Sequence, residues 1–331
     1  MQTKKKKIVA YTTVFGILSV VMVLGTVFDL QISSAVSELS AGEYYSDNVL
    51  LNFFETFGET VLYGFISFAG TTFYLSAKNL FKNKTAVVSV IVLSVAVTVG
   101  INAFGASRVI KYLAEHYSFE NRLDGVLPVI LYALSGVTFL GVWYLIVSKI
   151  NKDTLKSLAI WSLIVIFTAI ISQIIVQGLK PVFSRVRFRS MNYAGNFEYY
   201  TQWFKCGKLS AESKEYFNAL VGTDAYKSFP SGHTASAAIT FTLMSLPGFV
   251  SGLDRRLWRV FFAVLSFGYT SVIALSRIII GAHFLTDVTF ATSVSFLSYV
   301  LSGLIVRKAF LRHSPDIKSE NVEIEREITL E

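Results

Sequence analysis

Ser276-Arg277-Ile278-Ile279-Ile280-Gly281-Ala282-His283-Phe284-Leu285-Thr286-Asp287 puts an arginine, a histidine and an aspartate inside one of the most apolar parts of the chain. In a hydrocarbon setting each such group is costly and calls for a partner or a function. His283 and Asp287 are four apart, so on a helix they share a face. Arg277 lies six positions before His283, an offset that points the two in different directions on one unbroken helix. Gly281-Ala282 offers a break. The pattern predicts one helix ending near Arg277 and a second beginning near His283, with the two converging on one point.

The composition around this stretch decides the class. Of 331 residues 53% are hydrophobic, 15% are aromatic and only 16% are charged. Apolar runs near the roughly 20 residues needed to cross a bilayer recur along the chain. They predict spans at about 8–30, 57–80, 86–106, 124–148, 157–179, 234–250, 258–277 and 283–306. The expectation is an all-α polytopic bundle of about eight transmembrane helices. Lys4–Lys7 precede the first run, but that run exceeds a signal peptide's apolar region of about 7–15 residues and shows no small-residue cleavage site, so it reads as an uncleaved span. The single cysteine, Cys206, rules out an intrachain disulfide, and four scattered histidines give no metal site by spacing. The distribution of the net charge of +8 argues against nucleic acid.

Positive charge in short loops sets orientation. Lys4–Lys7, Lys78/Lys82/Lys84, Lys149/Lys152/Lys156, Arg255/Arg256/Arg259 and Arg307/Lys308/Arg312 fall on one side, which predicts cytoplasmic N- and C-termini. The first outer loop, about 31–56, holds Glu38, Glu43, Asp47 and Glu55 with no lysine or arginine. The tail from Pro315 is polar, of mixed charge and expected to be disordered. One outer segment runs against the bias: Lys180, Arg185, Arg187, Arg189, Lys205, Lys208, Lys214 and Lys227 all fall between 180 and 227. A long loop weakens the rule, but an anionic ligand at the outer face would also explain it.

Three clusters stand at outer span ends. Lys180-Pro181-Val182-Phe183-Ser184-Arg185-Val186-Arg187 places Lys180 and Arg187 two turns apart on one helical face, with Pro181 suited to open a new turn. In extended chain, Arg185, Arg187 and Arg189 would share a side instead. Snorkelling to headgroups is the plain alternative for these cations. Ser228-Phe229-Pro230-Ser231-Gly232-His233-Thr234 opens the sixth span, with Ser231 as N-cap and free amides at Gly232 and His233, a terminus fit for anions. Gly232 also permits close backbone approach. In the third cluster Asp287 can fix the tautomer of His283, or it can pair with Arg277 and merely staple two helices. Together the clusters offer cations, helix-start amides, two histidines and a carboxylate on one side. That set suits phosphoryl transfer by positioning and charge stabilisation.

Lys180-x6-Arg187, Pro230-Ser231-Gly232-His233 and Ser276-Arg277-x5-His283-x3-Asp287 resemble the tripartite signature of the type 2 phosphatidic acid phosphatase (PAP2) superfamily, in order and in outer-face placement. The resemblance implies a catalytic membrane core over about 151–310, leaving N-terminal helices in 1–150 without a motif and a cytoplasmic tail at 311–331. The family usually has six spans, so eight implies two extra at the N-terminal side. Phe188 stands where the family has proline. By resemblance, His283 attacks phosphorus, Asp287 orients it, and His233 is general acid and then base. Lys180, Arg187, Arg277, Ser231 and Gly232 would hold phosphate oxygens, with no metal and no cofactor. The implied activity is an integral membrane phosphatase of the plasma membrane, acting at the extracellular face on a lipid phosphate such as phosphatidate, phosphatidylglycerol phosphate or a polyprenyl diphosphate.

Aromatics among lysines at 191–226 suit a lid on the headgroup interface or, equally, a self-packed loop. A phosphotransferase would use the same residues. A transporter, the alternative from another class, would carry charges near the bilayer midplane and discontinuous helices in matching halves; here the charges cluster at outer ends and no internal repeat is visible.

Overall fold

The computed structural model describes residues 2–117, 125–205, 207 and 209–311. Cys206, Lys208 and the tail from 312, with its expected disorder, lie outside them. The described residues form an all-α membrane bundle with no strand among them. Its helices are α1 (Gln2–Val36), α2 (Val49–Phe57), α3 (Thr60–Leu80), α4 (Lys84–Tyr117), α5 (Val126–Val147), α6 (Lys152–Phe183), α7 (Phe188–Ala194), α8 (Ala211–Val221), α9 (Gly232–Ala237), α10 (Arg256–Ile279) and α11 (Leu285–Val306).

Six of the described helices are long and apolar enough to cross a membrane. α3, the expected span at 57–80, falls outside that group despite its 21 residues. It buries Ser67, Thr71, Thr72 and Ser76 between neighbours, and Ser67 accepts from Asn102 of α4 at 2.8 Å. The expected span at 234–250 is a six-residue α-helix continued by a 3₁₀ segment, Ala238–Gly248. At about 2.0 Å per residue that eleven-residue segment alone rises about 22 Å, so a short stretch still covers much of the roughly 30 Å hydrocarbon core.

α6 and α11 form the centre: half of each apolar window is buried, against 6% for α1 and α5, whose apolar side chains face outward. α6 packs on α11 and α3, α4 joins α3 to α5, α1 lies along α11, and α10 covers the 3₁₀ segment. The shared core is Leu62, Tyr63, Leu158, Trp161, Ile164, Val165, Ile239, Phe241, Phe296 and Tyr299. The expected helix break is present, since α10 ends at Ile279 and α11 begins at Leu285. The amides of Ala282 and His283 both bond to the Arg277 carbonyl (3.0 and 3.1 Å), which ties the connector to the end of α10.

Two local expectations need correction. Pro181 does not open a new turn. It lies in the last turn of α6, which runs on to Phe183 and stops at Ser184, whose φ of 45° is left-handed. The segment at 31–56 is not merely an acidic loop: α1 extends to Val36, and α2 folds back against α4 and α10, burying Glu55. The aromatic loop packs on itself, with Val186, Phe188, Met191, Phe217, Ala225 and Phe284 in a small core of their own. Tyr193, Phe197 and Tyr216 stay exposed at its surface.

Candidate active site

Backbone hydrogen bonds join the three clusters directly. Arg187 donates to Ala225 (2.8 Å), Ser228 to Arg185 (3.0 Å), Arg189 to Gly281 (2.8 Å) and Ser231 to Asp287 (3.2 Å). Every helix that contributes does so at the end away from its lysines and arginines in the short loops: α3 and α11 by their starts, α4, α6 and α10 by their ends.

His283 lies in the Ile280–Phe284 connector and is 1% exposed. Its Nδ1 faces the Ser228 carbonyl at hydrogen-bond distance and stands 3.8 Å from Asp287 Oδ2. A carbonyl only accepts, so Nδ1 carries the hydrogen and Nε2 keeps its lone pair. Burial favours the neutral ring; the Asp287 contact opposes this, and the nearby Arg187 and Lys180 reinforce it.

Asp287 is engaged on several sides. It accepts from the Phe284 amide (2.8 Å), from Arg185 Nη1 (2.6 Å) and from the Ser228 hydroxyl. The bond to Phe284, the N-cap of α11, is the side-chain half of a capping box. Asp287 therefore acts on His283 at a distance, and the Ser228 carbonyl makes the direct contact.

The alternating arginines have three different surroundings. Arg185, 2% exposed, turns away from the histidines to Asp287, to Asp29 of α1 (3.0 Å) and to the Thr201 carbonyl (2.8 Å). Asp29 in turn accepts from the Thr286 amide (3.0 Å), so α1 caps α11. Arg189 bonds Glu55 at 3.0 Å with its guanidinium over the Tyr44 ring. Arg187 is the N-cap residue of α7; its Nε is buried with no hydrogen-bond partner among the described residues. Phe188, in the place of the family's proline, is buried against Gly281. Gly281 has φ +64°, and an added Cβ would meet Phe188 Cδ1 at 3.0 Å and the Arg189 amide at 3.1 Å.

Arg277 is neither a staple to Asp287 nor wholly free. Its Nη2 bonds Glu55 Oε1 at 2.8 Å, while Nε and Nη1 are buried without a partner among the described residues. The Lys180 side chain reaches the start of α9, where a Cβ at Gly232 would lie 3.4 Å from Nζ. Ser231 is the N-cap there and accepts from the Thr234 amide and hydroxyl (3.4 and 2.9 Å). Gly232 and His233, in the first turn, have no intrahelical acceptors for their amides.

His233 is held from both sides. Nε2 lies 2.9 Å from the Glu55 carbonyl and Nδ1 3.3 Å from Glu59 Oε1. The eight expected residues thus gather at one place, with Lys180 and Arg187 in electrostatic reach of the His283 ring and Arg277 in reach of His233. The structure adds Asp29, Glu55, Glu59, Arg108, His116, Arg185 and Ser228. Glu55 is buried between Arg277, Arg189 and His116, the last at 3.4 Å. Burial alone would raise its carboxyl, but Arg277 and Arg189 hold it well below the usual carboxylate range. The signal for these residues was thin: an isolated aspartate in an apolar run (Asp29), and acids four apart at a span start (Glu55, Glu59).

Residues 161–311 match the family model of the PAP2 superfamily, and all three clusters lie inside that segment. The likeness to that family thus covers a little under half of the chain, its C-terminal part. No curated protein and no solved structure matches the chain. A PAP2 domain set among long apolar helices points to a membrane phosphatase.

Proposed function

We propose that the protein is an integral membrane phosphatase that hydrolyses a lipid phosphate ester or diphosphate through a phosphohistidine on His283. The observation that carries the reading is the His283 tautomer, which leaves Nε2 unprotonated, in a site whose Arg187 and Arg277 keep buried donors unpartnered among the described residues. The Nε2 lone pair attacks phosphorus, the N–P bond forms and the bond to the leaving oxygen breaks. His233 gives that oxygen a proton, taking the leaving group as acceptor in place of the Glu55 carbonyl. Water then attacks phosphorus, His233 takes its proton, and the N–P bond breaks to release inorganic phosphate. Lys180, Arg187, the free edge of Arg277 and the amides at Gly232 bind the phosphate oxygens through the transition state. Asp287 and the Ser228 carbonyl keep the His283 ring in register.

We read the bundle as eight spans with both termini cytoplasmic and the site at the extracellular face of the plasma membrane, because the basic short loops all stand at the far helix ends. The domain limits 1–150, 151–310 and 311–331 belong to the same reading. A site at the outer interface supports a lipid substrate. The test is a panel in detergent: phosphatidate, phosphatidylglycerol phosphate, undecaprenyl diphosphate and a sugar phosphate, with inorganic phosphate measured. Release from a lipid substrate, unchanged by EDTA, is expected. Release from the sugar phosphate alone overturns the substrate class, and a phosphorylated acceptor without free phosphate makes the enzyme a transferase.

A further inference from the structure

Glu55 and Glu59 stand one helical turn apart at the α2–α3 junction, and the chemistry above uses neither carboxylate. They come from the N-terminal helices, outside the PAP2 domain, yet both touch residues of its signature. The junction lies close against the ring: a Cβ added to Gly58 would sit 3.4 Å from His233 Cδ2.

We propose that Glu59 is a positioning residue for His233, forming a second carboxylate–histidine pair opposite Asp287–His283. The inference rests on His233 as the general acid. Glu59 Oε1 lies 3.3 Å from His233 Nδ1, while Oε2 accepts from Tyr63 (3.1 Å) and from Arg108 Nε (3.3 Å). Arg108 is fixed in turn by the Tyr112 hydroxyl at 2.7 Å, and the Tyr112 ring packs edge-on to His233 at 5.5 Å. The carboxylate is therefore aimed by groups from α3 and α4 before any substrate enters.

The two contacts of His233 both favour its charged form, against its burial. Both neighbours, the Glu55 carbonyl and the Glu59 carboxylate, only accept. A neutral imidazole offers one N–H, so either tautomer would turn a lone pair toward an oxygen; the charged ring satisfies both. Burial opposes that charge most and, with Arg277 of α10, holds the ring below the ordinary histidine range; Glu59 is the leading group that opposes this shift, aided by the Glu55 carbonyl and carboxylate of α2. Arg108 of α4 and Lys180 of α6 act on the pair through Glu59. Glu59 is thus the group that draws a proton onto His233 against its burial, while the Ser228 carbonyl leaves Nε2 of His283 unprotonated. The N-terminal helices become part of the active site instead of a separate anchor.

The experiment measures kcat/KM against pH for the full chain in detergent with phosphatidate, comparing wild type with Glu59→Gln, Glu59→Asp, Arg108→Gln and His233→Gln. Glu59→Gln removes an opposite charge within 4 Å of the ring, so the alkaline limb is expected to move down by about 1 pH unit or more. Glu59→Asp retains the charge and should restore the limb. Arg108→Gln removes a competing cation and should move it upward. A limb unmoved in Glu59→Gln, with only a lower rate, overturns the proposal, as does a higher rate at every pH, which would make Glu59 an inhibitory contact. If Glu59→Gln does not fold by size exclusion, Arg108→Gln decides alone: an upward shift supports the pair and an unmoved limb refutes it. His233→Gln separates the two levels, because wild-type turnover there removes the general-acid reading itself.

Discussion

Arg185 and Arg187 are two residues apart, and the structure predicts opposite consequences for losing them. Arg185 is buried and bridges Asp287 at 2.6 Å and Asp29 at 3.0 Å, holding α1 and the start of α11 together. Replacing it with methionine fills most of the volume but strands two buried carboxylates. Removing one partner of a buried pair costs about 3–5 kcal/mol, and the second acid pushes the expectation to the upper end of that range. Asp29→Asn in the same chain removes one stranded charge and should recover about half. Arg187, by contrast, has a buried Nε without a partner among the described residues. Arg187→Ala removes no ion pair and should change stability little, yet cost about 2.7–4 kcal/mol of transition-state stabilisation, or about 100–1,000-fold in rate. Thermal unfolding in detergent reads the first quantity and phosphate release the second. Equal stability losses for both variants, or normal activity in Arg187→Ala, would refute this division of labour.

Other predictions follow from particular contacts. Glu55 is held below its ordinary value of about 4.5 by Arg277 and Arg189, against its burial. Its contribution is therefore fully present above pH about 4.5 and declines as pH falls further, since the unfolded chain takes up a proton there and the folded one does not; Glu55→Gln should flatten that acid slope in pH-dependent unfolding. Gly281→Ala should destabilise by about 1–2 kcal/mol for the left-handed backbone and more if Phe188 cannot shift. Activity should fall with it, because the Gly281 carbonyl holds the Arg189 amide.

Much of the site was legible because its residues are local exceptions. A histidine and an aspartate four apart in apolar sequence, after a glycine break, specify a helix start with both on one face, and α11 begins there. Ser231 before Gly232 specifies a cap in the same way. What was not legible depends on pairing across long stretches of chain. Nothing in Arg185-Val186-Arg187-Phe188-Arg189 says which arginine meets Asp287, which meets Glu55 and which keeps a free donor. That choice is made by Asp29, 156 positions away, and by Glu55, 134 away. The partner of His283 Nδ1 is a backbone carbonyl, which carries no residue signature at all. α3 and the Gly232–Gly248 segment followed from apolar length, but the 3₁₀ rise of the latter did not, since side-chain pattern does not encode it.

The central claim is the covalent intermediate on His283, and the direct measurement is rapid quenching of the purified protein with a phosphate-labelled lipid substrate. The account predicts a label that is stable to base and labile to acid, that maps to the peptide containing His283, and that is absent from His283→Ala together with turnover. Phosphate release at wild-type rate from His283→Ala, or a label on any other residue, would contradict it.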